Sequence, residues 1–133
     1  MTHSFVNIIL PLEADRADKV DARLEAYFKP LQESDSAQRT NLRRSGLHFM
    51  SITVVRAAPG KSAHLVIEGS VDGDEVRFFD ILCNSLAAEV SDILQVAGLM
   101  PATGGLRPYL EQRQVRTGQG LFDVPGLNFC GTP

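Results

Sequence analysis

The chain has 133 residues, 44% hydrophobic and 22% charged, with a formal net charge of -3. That is the length of one domain able to bury its own core, and the balance excludes a disordered or fibrous chain. Cations are scattered apart from Arg39, Arg43 and Arg44, which read as a solvated face, so nucleic acid is not expected as a partner.

Phe5 to Leu10 is rich in β-branched and aromatic residues and meets Pro11, which predicts a first strand. The apolar run to Leu12 is far shorter than the ~20 residues of a membrane span and lacks the basic flank of a signal peptide, so no membrane partner is expected. From Glu13 to Phe28, Ala17, Val20, Leu24, Tyr27 and Phe28 recur at spacings of three and four. An amphipathic helix ended by Pro30 follows. Ala37 to Arg44 reads as a short helix, capped by Ser34 or Ser36 and stopped at Gly46. Leu47 to Ala57 and Ser62 to Gly69 are strand-like runs around Ala58-Pro59-Gly60-Lys61, an antiparallel hairpin. Asp72 or Asp74 can cap a helix whose apolar stripe is Val76, Phe79, Leu82, Cys83, Leu86, Val90, Ile93, Leu94 and Ala97, with a break near Ser85 or Ser91 and an end at Gly98. Met100 to Gly105 is a loop and Leu106 to Val115 a short helix. A last edge strand is expected within Gly120 to Cys130 of the tail, residues 116–133.

Strand, helix, strand, strand, helix, strand is the order of a ferredoxin-like, split βαβ domain, α+β in class, with an antiparallel sheet and helices on one face. A single domain over residues 1–133 is expected, either whole or as the N-terminal part of a longer protein. Alternation assigns Val6, Ile8, Leu10, Met50, Ile52, Val54, Leu65 and Ile67 to the helix side, and His48 with them. The open face then carries Phe5, Asn7, Ile9, Phe49, Ser51, Thr53, Val55, His64, Val66 and Glu68. A semi-apolar face of this kind calls for a partner, so a homodimer or a further domain is expected to cover it.

Chemistry is sparse. His64 and Glu68 share the open face with Asn7, Phe49, Ser51 and Thr53 as a ligand or interface surface, but four residues along a strand is roughly 13 Å, too far for one metal. Cross-strand hydrogen bonding explains the pair as well. Cys83 and Cys130 stand in no ligand spacing, so neither a disulfide framework nor a metal site is predicted, and a reduced, cytoplasmic setting fits. His3, His48 and His64 are the candidates for an axial haem ligand. Gly69-Ser70-Val71-Asp72-Gly73 is similar to the short GxxDG pattern of dye-decolorising peroxidases, whose aspartate assists peroxide cleavage above a haem. A strand-to-helix turn with Asp72 as cap explains the same letters.

Through Leu47-His48-Phe49, Leu65-Val66-Ile67-Glu68 and Val71-Asp72-Gly73, the chain from Phe5 to Pro133 resembles the N-terminal ferredoxin-like part of bacterial proteins labelled as peroxidase or cytochrome P450 related. At the level of fold it also resembles dimeric α+β barrel proteins. The resemblance implies haem or other oxidative chemistry, with no P450 cysteine loop in this chain to match. Two functions are therefore expected. One is a ligand-binding or assembly module using the open face. The other is a small oxidative enzyme, haem-dependent or cofactor-free, with a small-molecule pocket under that face and His64, His48 and Asp72 as catalytic suspects.

Overall fold

A computed structural model of the chain describes residues 3–33, 37–56, 63–99 and 105–115. Strand β1 (His3–Leu12) leads through a 3-10 turn (Ala14–Arg16) into helix α1 (Ala17–Glu33) and helix α2 (Ala37–Arg44). Strands β2 (Leu47–Arg56) and β3 (Ala63–Asp72) follow, then helix α3 (Glu75–Asp80), a π-helical turn (Ile81–Ser85), helix α4 (Ala87–Val96), helix α5 (Leu106–Glu111) and strand β4 (Gln114–Val115).

The four strands form one antiparallel sheet in the order β2-β3-β1-β4, an α+β architecture consistent with the ferredoxin-like arrangement. One sheet face meets the helices. Val6, Ile8, Leu10 and Leu12 of β1 and Leu65, Ile67 and Val71 of β3 are buried there against Val20 and Leu24 of α1 and Phe78, Phe79, Leu82, Leu86, Val90, Ile93 and Leu94. Each such side chain contributes about 1.5–3 kcal/mol. Exposed ion pairs such as Arg56 with Asp18 and Asp21 are screened by solvent and contribute little, so the apolar layer decides the fold. Among the described residues no helix is long and apolar enough to cross a membrane.

Several elements depart from expectation for local reasons. β1 runs through Pro11 because the Ile9 N–H donates to Arg113 O on the β4 side, and β4 pairs only with Asn7 and Ile8. Pro11, two residues on, therefore lacks an N–H where no partner strand lies among the described residues. α1 also continues past Pro30 to Glu33 instead of ending there. β3 extends to Asp72, so the first four residues of the GSVDG stretch are strand. Its cap is Asp74, whose carboxylate accepts from the Val76 N–H at 3.0 Å; Asp72 does not cap this helix. The long helix breaks at the π turn ending at Ser85, and beyond it Leu86, Val90, Ile93, Leu94 and Ala97 are buried as expected; the departures lie before the turn or at its start. Phe78 and Ile81 are buried while Val76 is half exposed. The Leu106 to Val115 segment is helix only to Glu111, and Gln114–Val115 pairs with β1. The hairpin turn at residues 58–61, the α2 cap and the strand expected within 120–130 lie outside the described residues.

Candidate functional site

Register turns the open face into four rows across β1, β3 and β2. Phe5, Ser70 and Phe49 make one; Asn7, Glu68 and Ser51 the next; then Ile9, Val66 and Thr53; then Pro11, His64 and Val55. Phe5 is 77% exposed, Phe49 55% and Val55 49%. Ser70, flanked by the two phenylalanines, is the buried polar residue of the face. The six residues singled out as a ligand or interface surface, Asn7, Phe49, Ser51, Thr53, His64 and Glu68, all fall on these rows.

The catalytic suspects separate. His64 and Asp72 are eight residues apart on β3, roughly 26 Å along the strand, so they cannot act on one small molecule. His48 and Asp72 do meet. His48 Nε2 lies 2.6 Å from Asp72 Oδ1, the carboxylate accepting, and His3 Nδ1 lies 3.3 Å from the same oxygen. The two imidazole rings sit edge to face with centroids 5.1 Å apart.

His48 reaches this place because β2 is bulged. Leu47 is opposite Val71 and Phe49 is opposite Ser70, so one extra residue enters the strand at His48. The bulge corrects the alternation reading: His48 is exposed at the strand end, not turned toward the helices with Met50 and Ile52. A signal for it stands in the sequence, since Leu47 and Met50 both pack on the core yet are three residues apart in a pattern of period two.

His3, expected only as a candidate haem ligand, was not expected to join His48 and Asp72. Its place follows from the β1–β3 register, which sets His3 opposite Asp72. The hydrogen bond from His48 holds the Asp72 carboxyl below the ordinary carboxylate range, helped by the charges of His48, His3 and Arg77 and opposed by partial desolvation. Chemically, the cluster offers an imidazole oriented by a carboxylate, and three donor groups that could hold a divalent ion.

His48 also lines a cleft of about 720 Å³. Leu24 and Phe28 of α1, Leu42 of α2 and Met50 and Ile52 of β2 give it an apolar floor, and Lys29, which pairs with Glu25, lines it with charge together with Arg39 and Arg43. That volume is within the range of about 300–1,000 Å³ that takes a small organic ligand. The cleft follows the edge of β2, so it is His48, not His64, that shares it with the apolar residues of α1 and α2.

Comparison of the chain with protein-family models, with curated proteins and with solved structures finds no match.

Proposed function

We propose that this protein is a binding and assembly module of ferredoxin-like topology whose open sheet face packs on a second copy of the chain. The observation that carries the reading is the exposure of Phe5 and Phe49 side by side across Ser70 on a face that is otherwise aliphatic or uncharged apart from Glu68. Single exposed apolar residues are ordinary; a contiguous row of them marks a contact surface. Three ten-residue strands make a face about 33 Å by 15 Å in plan, about 500 Å². Side-chain relief brings this toward the ~800 Å² that each partner gives to a standard interface.

Light scattering on the eluting protein tests the reading. The expected mass is twice the 14.5 kDa of one chain, and Val66→Glu, at the centre of the face, is expected to give the single-chain mass with an unchanged circular dichroism spectrum. A single-chain mass for the unaltered protein at every accessible concentration overturns it.

One observation favours a second reading, a small oxidative enzyme: the His48–Asp72 pair stands where His48 enters the apolar cleft. An imidazole oriented by a carboxylate is suited to proton transfer beside a bound organic molecule. A Soret band on haem titration decides for the haem-dependent form of this reading.

A further inference from the structure

We infer that the end of the sheet where His3, His48 and Asp72 converge is a binding site for one divalent first-row transition ion, held by two imidazole nitrogens and one carboxylate oxygen. The site lies at one end of the face proposed above as a contact, and rests on other residues than the ones that carry that proposal. It occupies the row beyond Phe5, Ser70 and Phe49, and needs no second chain.

The donor set comes first. Imidazole suits zinc, iron, cobalt, nickel and copper, and two imidazoles with one carboxylate satisfy three positions of such an ion while leaving others open. The donor atoms of the three side chains lie within 4.8 Å of one another. Bonds of about 2.0–2.2 Å place tetrahedral donors about 3.3 Å apart. Asp72 Oδ1 is already 2.6 Å from His48 and 3.3 Å from His3, so closure on an ion asks for a movement of no more than about 1.5 Å from half-exposed side chains.

The scaffold is the second consideration. Each donor comes from a different strand, and each strand end is tied down. The Asp72 N–H donates to Gly46 O at 2.9 Å, just before β2 begins. The Ser4 hydroxyl donates to Gly73 O at 2.7 Å, joining β1 to the turn that follows Asp72. The β2 bulge then aims the third donor: without the extra residue, alternation would turn His48 toward the helices. Three donors from three strands, brought together by register and one bulge, are already arranged before an ion arrives.

Access also suits an ion. The side chains of His3 and His48 are 50% exposed and that of Asp72 33%, so solvent or a small anion can complete the coordination. The neighbouring cation, Arg77, donates to Ser45 O at 3.1 Å. His64, the remaining histidine, is too far along β3 to take part.

Titration of the full chain with Zn²⁺ by calorimetry, and with Co²⁺ by visible absorption, tests the site. The expected result is one ion per chain, with the imidazole resonances of His3 and His48 shifting on Zn²⁺ addition and those of His64 unmoved. His3→Asn, His48→Asn and Asp72→Asn are each expected to weaken binding by at least about tenfold, the low end of what losing even an outer-shell partner costs. His3→Asn alters only an exposed residue at a strand end, so it keeps the test valid if Asp72→Asn fails to fold. Absence of saturable binding, or binding that His3→Asn and His48→Asn both leave intact, overturns the proposal. Either result leaves the mass measured by light scattering where it was, so the two readings fall separately.

Discussion

Phe78 occupies the space above Gly69. A Cβ built at that glycine would lie 1.9 Å from Phe78 Cε1 and 2.5 Å from Cζ, and the Phe78 ring is fully buried, so it has nowhere to go. Gly69→Ala is expected to destabilise the fold by about 1–3 kcal/mol, the range for overpacking a filled core, read as a lower midpoint in urea. Gly73 answers a different need: its φ is +85°, a left-handed conformation that glycine adopts without penalty and that starts the turn from β3 into α3. The two glycines of the peroxidase-like stretch thus have separate structural reasons. Asp72 between them is left over, and its carboxylate is engaged by the two histidines.

At the scale of elements, α1 is tied to α4 through one carboxylate. The Tyr27 hydroxyl donates to Asp92 at 2.7 Å and Arg23 donates to the same oxygen. Those two hydrogen bonds, Tyr27 first, hold the Asp92 carboxyl below the ordinary carboxylate range. A folded-state value below the unfolded one, about 3.9, means that Asp92 stabilises the fold above that pH and that the contribution is lost as pH falls through the folded value. Asp92→Asn is therefore expected to lower stability near neutral pH and to make the acid-side decline shallower, measured as urea midpoints between about pH 7 and pH 2. Tyr27 shifts upward for the same reason, its proton being held by Asp92, so the tie also weakens once pH rises through the folded tyrosine value. Neither partner was legible as a pair. Tyr27 stood out only as part of an apolar stripe, and Asp92 lies 65 residues away.

At the scale of the molecule, the charge pattern of the open face chooses an orientation for the proposed dimer. Glu68 and His64 lie two residues either side of Val66 on β3. A twofold axis over Val66 and perpendicular to the strands sets each Glu68 over the partner's His64. An axis along β3 would set Glu68 over its own copy, and like charges directly opposed are unfavourable. His64→Glu is accordingly expected to weaken self-association, and adding Glu68→Lys to it to restore association, both read as the concentration at which the mass falls to that of one chain. Weakening without restoration would argue against the perpendicular axis.

The order of elements from β1 to α4, the α2 boundaries, the hairpin pairing of β2 with β3 and the two unlike sheet faces were legible, because each rests on local spacing: period two in strands, three and four in helices, glycine at Gly46 and Gly98; β4 at Gln114–Val115 was not, since the spacing there predicts the end of a helix. The stripe beyond the π turn was legible too, Leu86, Val90, Ile93, Leu94 and Ala97 all being buried; what was missed lies before it or at its start, where Phe78 and Ile81 join the core and Val76 does not. The sequence by itself determined a semi-apolar open face carrying Phe49, Ser51, Thr53, His64 and Glu68, because alternation needs no partner to be read. Only the tertiary structure decided that His3, His48 and Asp72 meet. They come from three strands separated by dozens of residues, and strand pairing together with a single bulge, neither of them a local property, sets which side chains end up at one oxygen.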